Sequence, residues 1–259
     1  MQIPPIGLGV WQASPEDCRR AVSAALRIGY RHIDTARIYG NEADVGAAIK
    51  DSGIPRDQIF VTTKLWNDDQ GYDTALRAFD ESVKRLGLDY IDLYLLHWPV
   101  PGKRLDSWRA LEKLHDEKRA RAIGVSNFMV RHLDELLATA KHKPYANQIE
   151  LTPFLQRRDT VALCKREGIV VEAYSPLTRG KRLGHAVVKA IASETGRSPA
   201  QVLLRWGVQH GFVVLPKSVR EERIRENFTL DFTLSPEQMT RLDGLEENLA
   251  TGWDPATMA

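Results

Sequence analysis

The chain is poor in cysteine: Cys18 and Cys164 are the only two among 259 residues, and neither belongs to a C-x-x-C pair. That spacing removes zinc-ribbon and thioredoxin-like chemistry, and so low a count fits a reducing compartment better than a disulfide scaffold. No apolar run approaches the roughly 18 residues that a membrane helix needs. The opening Met1-Gln2-Ile3-Pro4-Pro5 has neither the basic region nor the apolar stretch of a secretory signal, so the expected location is the cytoplasm. Net charge is only +2, which gives no global attraction to nucleic acid or an anionic membrane. Linkers, low-complexity tracts and charge blocks are missing as well. With 43% hydrophobic and 27% charged residues, the chain is of ordinary globular type, and one domain over 1–259 is expected.

A phosphate-binding glycine loop is also missing. Gly7-Leu8-Gly9-Val10-Trp11-Gln12 has Gln12 where the dinucleotide fingerprint needs a glycine, opens no immediate helix, and has no Walker-type counterpart elsewhere. That bears on the fold, because what the chain does have is alternation. Candidate strands fall at Ile6–Gly9, His32–Asp34, Ile59–Lys64, Ile91–His97, Ala122–Ser126, Asn147–Glu150, Val170–Ala173 and Val213–Leu215. Most intervals are about 25 to 30 residues, the size of a βαβ unit, and the last, of roughly 40, predicts an additional helix. Ser14-Pro15-Glu16-Asp17 reads as an N-cap, a proline at the first helical position and two acids at the positive end of the dipole. Ser198-Pro199 and Ser235-Pro236-Glu237 repeat that chemistry, and Asp106 to Glu117 carries Trp108, Leu111 and Leu114 on one face. Eight strands alternating with helices form a closed barrel or a doubly wound sheet. The missing glycine loop favours the α/β class of (β/α)₈ TIM barrel, which commonly runs to about 250 residues.

Function in such a barrel collects at the C-terminal ends of the strands. The second strand ends in Asp34 with Tyr39 in the loop beyond it, the third ends in Lys64 and the fourth in His97. Taken singly, Asp34 reads equally well as a helix cap, Tyr39 as a half-buried aromatic, Lys64 as a solvated strand end and His97 as a core histidine. Together they close successive strands that converge on one axis. A phenol near pKa 10 is a poor proton donor at neutral pH, and a neighbouring lysine cation favours the phenolate and lowers that value. A buried lysine needs a partner, for which Asp34 is placed, and a histidine can orient a substrate oxygen. Such a set suits protonation of a carbonyl oxygen.

Several ordered motifs resemble the aldo-keto reductase family: Gly29-Tyr30-Arg31-His32-Ile33-Asp34-Thr35-Ala36 with Tyr39-Gly40-Asn41-Glu42, and Thr62-Thr63-Lys64-Leu65-Trp66. Asp92-Leu93-Tyr94-Leu95-Leu96-His97-Trp98-Pro99, Ile123-Gly124-Val125-Ser126-Asn127-Phe128 and Leu215-Pro216-Lys217-Ser218 extend the likeness over nearly the full chain. It is nearest to short bacterial members of the diketogluconate reductase type. The resemblance implies an oxidoreductase that reduces aldehydes or ketones to alcohols, with Tyr39 as general acid, Lys64 and Asp34 as its tuning pair, and His97 as the orienting group.

The same resemblance implies NADPH (NADP+ in its oxidised form) at the barrel mouth. Ser126, Asn127 and Gln148 would hold the nicotinamide carboxamide, and Tyr174 would stack on its ring. Gly9, Val10, Trp11, Ser175, Leu177 and Arg179 would line the rest of the cofactor's path. Lys217, Ser218, Val219, Arg223, Glu226 and Asn227 look like the family's clamp on the 2′-phosphate. Local charge alone leaves NADPH and NADH undecided, since Arg220, Arg223 and Arg225 alternate with Glu221 and Glu222 as on any solvated helix face. Trp11, Trp66, His97 and Trp98 are expected around the substrate, an aromatic wall suited to flat or aliphatic carbonyl compounds. Trp253, in a C-terminal tail over about 248–259 that is expected to cross the mouth, reads equally as exposed or packed.

Three features depart from the family pattern. Only about five residues precede the first strand, so no N-terminal hairpin is expected to plug the barrel bottom, and stability is the property in doubt. The segment between Pro99 and Trp108 is short, which predicts a small first substrate loop. Thr152 stands where histidine is common, and Thr178-Arg179 replace a usual glycine, with Arg179 able to reach the phosphates in compensation. A barrel that holds NADPH as a sensor or regulatory subunit is the alternative reading. An isomerase of phosphate substrates is remote, because no catalytic glutamate motif is present. The partner is a small molecule rather than a nucleic acid or membrane, a monomer is the simplest state, and no metal site is expected.

Overall fold

The computed structural model describes residues 2–258. Within them, short apolar runs form β1 (Leu8–Gly9), β2 (His32–Asp34), β3 (Phe60–Leu65), β4 (Ile91–Leu96), β5 (Ala120–Ser126), β6 (Ala146–Glu150), β7 (Val170–Tyr174) and β8 (Val213–Leu215). All pair in parallel, in chain order. The ring closes where Gly7 N donates to Val214 O, Val214 N to Pro5 O and Gly9 N to Pro216 O. The result is the expected barrel, with boundaries within two residues of those read from sequence.

The helices are α1 (Pro15–Ile28), α2 (Glu42–Asp51), α3 (Tyr72–Leu86), α4 (Arg104–Asp116), α5 (Val130–Leu137), α6 (Arg158–Glu167), α7 (Ala186–Thr195), α8 (Pro199–Gln209), α9 (Glu221–Phe228) and α10 (Pro236–Asp243). Their starts follow the cap chemistry. Ser14 accepts from Asp17 N before Pro15 opens α1, and Ser198 and Ser235 form capping boxes with Gln201 and Gln238. The long last interval holds both α7 and α8, the additional helix predicted. The connection from β4 to α4 is short, since α4 begins at Arg104.

Two cores result. The larger lies between helices and strands, with Val22, Ala25, Phe79, Leu111 and Trp206 among its members. Gly46 of α2 lets that helix meet α3, because a Cβ there would fall 2.0 Å from Leu86 O. The smaller core fills the floor of the barrel, where Ile3 joins Phe60, Leu93, Leu95, Ala122, Ala146, Val213 and Leu215. Ile3 thus supplies apolar filling at that end of the barrel.

Above that floor the barrel interior turns polar. His32 and Asp34 are two residues apart on β2, as Thr62 and Lys64 are on β3, so each pair shares a strand face. They meet Gln148 and Glu172 from β6 and β7 through side-chain contacts across the barrel. Gly7 makes room for this column, since a Cβ at that position would sit 2.7 Å from His32 Nδ1. Barrel interiors are dominated by branched apolar side chains. Six polar side chains there mark the end of the barrel that carries the site.

Candidate active site

Asp34 closes β2 opposite Thr62 of β3, and Lys64, two residues further on and on the same strand face, reaches its carboxylate with its long side chain. The Lys64 side chain is fully buried. Its Nζ donates to Asp34 Oδ1 at 2.7 Å, to Thr35 O at 2.9 Å and to Tyr39 Oη at 3.4 Å. Tyr39 ends a 3₁₀ turn, Arg37–Tyr39, that follows β2 and is stopped by Gly40 at φ 70°. The His97 ring meets Tyr39 edge-on at 5.9 Å and Trp66 at 5.3 Å between centroids. Asp34, Tyr39, Lys64, His97 and Trp66 therefore form one cluster, as their strand positions predicted.

The electrostatics differ from expectation in one respect. Burial pushes the Tyr39 phenol above its ordinary value; the Lys64 cation opposes this and the Asp34 carboxylate adds to it. The net direction is up, not down as the lysine alone led us to expect, because desolvation outweighs the neighbouring cation. Tyr39 therefore holds its proton firmly at neutral pH. Burial disfavours the charged form of Lys64, but Asp34 and Tyr39 more than offset it, and the ammonium is retained. Burial and the Lys64 cation drive His97 well below the ordinary imidazole range. His97 is neutral, and its buried Nδ1 has no partner among the described residues.

Beyond these, Ser126, Asn127, Gln148 and Tyr174 are joined to the same cluster. Asn127, held at φ 64°, donates from Nδ2 to His97 O at 3.0 Å and accepts from Tyr174 Oη at 2.8 Å. Ser126 Oγ donates to Gln148 O at 2.9 Å, and Gln148 Nε2 donates to Asp34 Oδ2 at 2.8 Å. Val10, following Gly9, is buried and accepts from Asn41 Nδ2.

The loop after β7 is strained. Ser175, Thr178 and Arg179 are non-glycine residues at φ 48°, 52° and 50°, a region that costs of order 1 kcal/mol or more per residue and persists where its surroundings enforce it. Here Leu177 sits between Ser175 and Thr178, and the Arg179 guanidinium lies 4.5 Å from the centre of the Trp11 ring. The Trp11 ring thus packs against Arg179.

Lys217, Ser218, Val219, Arg223, Glu226 and Asn227 gather elsewhere, around the end of β8 and α9, without a bond to the central cluster. Ser218 Oγ accepts from Arg220 N at 3.1 Å. Among the described residues no ion pair involves Lys217, Arg220 or Arg223, whereas the nearby Arg27 and Arg225 both pair with Glu221. Asn227 is buried.

Trp98 is nearly buried and its ring lies 5.9 Å from that of Trp253, which is itself 72% exposed. The open choice for Trp253 thus resolves to an exposed ring leaning on Trp98. The segment that carries it is tied to β6, for Glu150 accepts from Thr251 N, Thr251 Oγ1 and Gly252 N, and Arg157 pairs with Asp254 at 2.6 Å. The sequence reading missed Glu150 as an anchor. It also passed over Glu172, an ionisable residue inside the apolar run Val170-Val171-Glu172-Ala173, which was the available signal. Glu172 is fully buried and accepts from Gln148 Nε2 at 3.0 Å, and burial, with Asp34 adding to it, lifts its carboxyl to about 7. Among the described residues no His/Cys/Asp/Glu group is arranged to hold a metal ion, and no helix is long and apolar enough to cross a membrane.

Known proteins resemble this chain in sequence and in fold. The sequence profile described as "Aldo/keto reductase family" matches residues 5–247. The chain is 49% identical over 260 residues to the 9,11-endoperoxide prostaglandin H2 reductase of Trypanosoma cruzi, covering 98% of this chain and 92% of that protein. It is also 49% identical over 257 residues to the glyoxal reductase of Bacillus subtilis, covering 98% and 93%. The crystal structure of MGS-M4, an aldo-keto reductase enzyme from a deep-sea metagenome library, superposes with a TM-score of 0.97 at 46% identity, covering 100% of this chain and 97% of that one.

Proposed function

This chain belongs to the aldo/keto reductase family, and from that premise we propose that it reduces aldehyde or ketone carbonyls to alcohols with NADPH, using Tyr39 as the general acid. The observation that carries the reading is the contact of Lys64 Nζ with both Asp34 and Tyr39, one cation linking a buried carboxylate to a half-buried phenol.

The residues fit the cofactor. Ser126, Asn127 and Gln148 offer amide and hydroxyl groups of the kind that fix a carboxamide's rotation, and Tyr174, tethered through its hydroxyl to Asn127, offers a flat face. Among the described residues, Lys217, Arg220 and Arg223 are cations without carboxylate partners at the uncapped start of α9, the donor set that suits a 2′-phosphate. Their lack of partners supports NADPH over NADH. Arg179, lying over Trp11, is the donor nearest in character to a pyrophosphate ligand. Bound there, the cofactor supplies hydride to the carbonyl carbon.

The protein's part is positioning and proton transfer. His97, kept neutral, has a ring N–H to offer the carbonyl oxygen and so sets its distance from Tyr39. The Tyr39 O–H bond breaks as that oxygen gains charge, and the proton passes to it. The phenolate left behind is stabilised by Lys64, whose charge Asp34 preserves. Burial keeps the proton on Tyr39 until an acceptor arrives, and the cation makes its departure tolerable. Trp66 and Trp98 border the carbonyl's substituents. The segment around Trp253, held on Glu150 and Arg157, we take as a cover for the mouth of a single barrel domain.

The test is the loss of NADPH absorbance against a panel of aldehydes, ketones, keto sugars, keto esters and dicarbonyls. Glyoxal belongs in the panel because a relative at 49% identity is a glyoxal reductase. Turnover of at least one class is expected. Intact NADPH binding with no turnover across the panel would refute the catalytic reading and leave a cofactor-sensing barrel.

A further inference from the structure

We propose that Glu172 is a positioning residue for the cofactor: it captures one amide hydrogen of Gln148 while Asp34 captures the other, leaving the Gln148 carbonyl oxygen as the atom offered to a ligand. The inference rests on the reading of Gln148 as a carboxamide partner.

The register of the barrel creates the arrangement. Gln148 of β6 and Glu172 of β7 are direct neighbours in the ladder, and both side chains turn inward. Gln148 Nε2 stands 2.8 Å from Asp34 Oδ2 and 3.0 Å from Glu172 Oε2. A side-chain amide has two N–H donors on one end and only an acceptor on the other. Two carboxyl oxygens around a single terminal atom therefore identify that atom as nitrogen and use both of its hydrogens. No described donor reaches Oε1. The terminal torsion of glutamine is broad and roughly two-fold, so a single bond to Asp34 would leave the plane of the amide free to turn. The second acceptor removes that freedom.

Glu172 itself has little else to do. It is fully buried, its Oε2 bonds Gln148, and its Oε1 has no hydrogen-bond partner among the described residues, with His32 Nε2 at 4.0 Å. Branched apolar residues are the usual filling of such positions, and burying a carboxyl in place of one is costly. A carboxyl kept here with the Gln148 amide as its hydrogen-bond partner is accounted for by what it does to that amide. Removing it would cost the cofactor site a preformed acceptor, which must then be ordered at each binding event.

The experiment measures NADPH dissociation constants on the full chain by fluorescence, with melting temperatures alongside, for Glu172→Met, Glu172→Gln, Gln148→Ala and the double variant Glu172→Met/Gln148→Ala. Glu172→Met, similar in length but without the acceptor, is expected to weaken NADPH about fivefold to tenfold. Glu172→Gln keeps an acceptor oxygen and is expected to stay within threefold of the parent. In the Gln148→Ala background the methionine substitution is expected to add less than twofold, since the amide it orients is gone. Losses that multiply in the double variant would overturn the proposal, as would a glutamine variant weakened more than threefold. Should the methionine variant fail to fold, the glutamine result decides alone by that same limit. A weakened Gln148→Ala beside a parent-like Glu172→Met overturns only this inference. An unchanged Gln148→Ala removes Gln148 from the cofactor reading, and this proposal with it.

Discussion

Lys64→Met withdraws one atom, Nζ, from three acceptors at once: Asp34 Oδ1 at 2.7 Å, Thr35 O at 2.9 Å and Tyr39 Oη at 3.4 Å. Two separable losses follow. The first is stability. Breaking a buried ion pair from one side costs about 3–5 kcal/mol, because the remaining charge is left uncompensated. At roughly 2–4 °C per kcal/mol for a chain of about this size, the melting temperature should fall by roughly 6–20 °C. The bond from Gln148 Nε2 to Asp34 Oδ2 survives the substitution and holds the loss toward the lower end. The second is rate. Without the cation, burial and Asp34 both oppose a Tyr39 phenolate, and kcat should fall at least about 100-fold, the lower bound for a general acid's contribution.

The double variant Lys64→Met/Asp34→Asn tells the two apart. Removing the stranded carboxylate should recover more than half of the lost melting temperature but only a minor part of the lost rate, since it lifts one opposition to the phenolate and restores no cation. Thermal melts followed by circular dichroism, and NADPH oxidation at saturating carbonyl, read both quantities. A double variant or a Lys64→Met enzyme within tenfold of the parent would refute the argument that the cation acts on Tyr39.

Tyr39→Phe should abolish carbonyl reduction while leaving the NADPH dissociation constant within about threefold, and turnover within tenfold of the parent would remove Tyr39 from its role. Arg223→Ala should weaken NADPH by about 1.5–3 kcal/mol, the scale of a charged hydrogen bond, with NADH little affected; equal losses for both cofactors contradict the 2′-phosphate assignment. Glu172 gives a pH signature, since its folded carboxyl is raised from 4.5 to about 7, in an interior where it faces His32 and Asp34 of β2, Lys64 of β3 and Gln148 of β6. Between those values the folded state keeps a proton that the unfolded chain has released, so this contribution to stability is complete below about 4.5 and is lost as pH rises through 7. His32, lowered to about 3 by burial and the Lys64 cation, runs the opposite way, losing stability as pH falls below 6.5. The clean observable is therefore the difference: Glu172→Gln should gain melting temperature relative to the parent between pH 5 and pH 8, and a difference independent of pH would count against the buried carboxyl.

How much of this the sequence discloses depends on which face of a strand is at issue. The barrel was legible because its signal is coarse: eight apolar runs at near-regular intervals, with helix signals in the gaps between them. Asp34, Lys64 and His97 were legible because each sits at or beside a strand's C-terminal end, where a polar residue interrupts an apolar run. Glu172 lies inside such a run. When both faces of a parallel strand are buried, alternation no longer separates inward from outward, and Val170-Val171-Glu172-Ala173 does not say which way its carboxyl points. The register with Gln148 does. The direction of the Tyr39 shift was hidden for a related reason: a lysine 25 residues away in sequence shows its charge, but the depth of burial that outweighs it belongs only to the folded chain. The contact of Trp11 was hidden too, because nothing local shows that Arg179, in a left-handed loop 168 residues on, covers its ring.

The polar interior also explains why this site needs so much surrounding structure. A general acid must hold its proton and then give it up, and those demands pull the same phenol in opposite directions. Burial meets the first, and by itself would defeat the second. A buried cation meets the second, but an isolated ammonium in that place would lose its proton instead of serving. Asp34 keeps Lys64 charged, and because it also opposes the phenolate it helps only while Nζ stands in contact with both groups. That contact is held by Thr35 O below the ammonium and by Gln148 on the far carboxylate oxygen, and Gln148 is in turn held by Glu172. Each layer restrains the one above it, down to a floor packed by Ile3 and Phe60. Polar substitutions within that column should therefore change rate and cofactor binding out of proportion to their distance from the carbonyl.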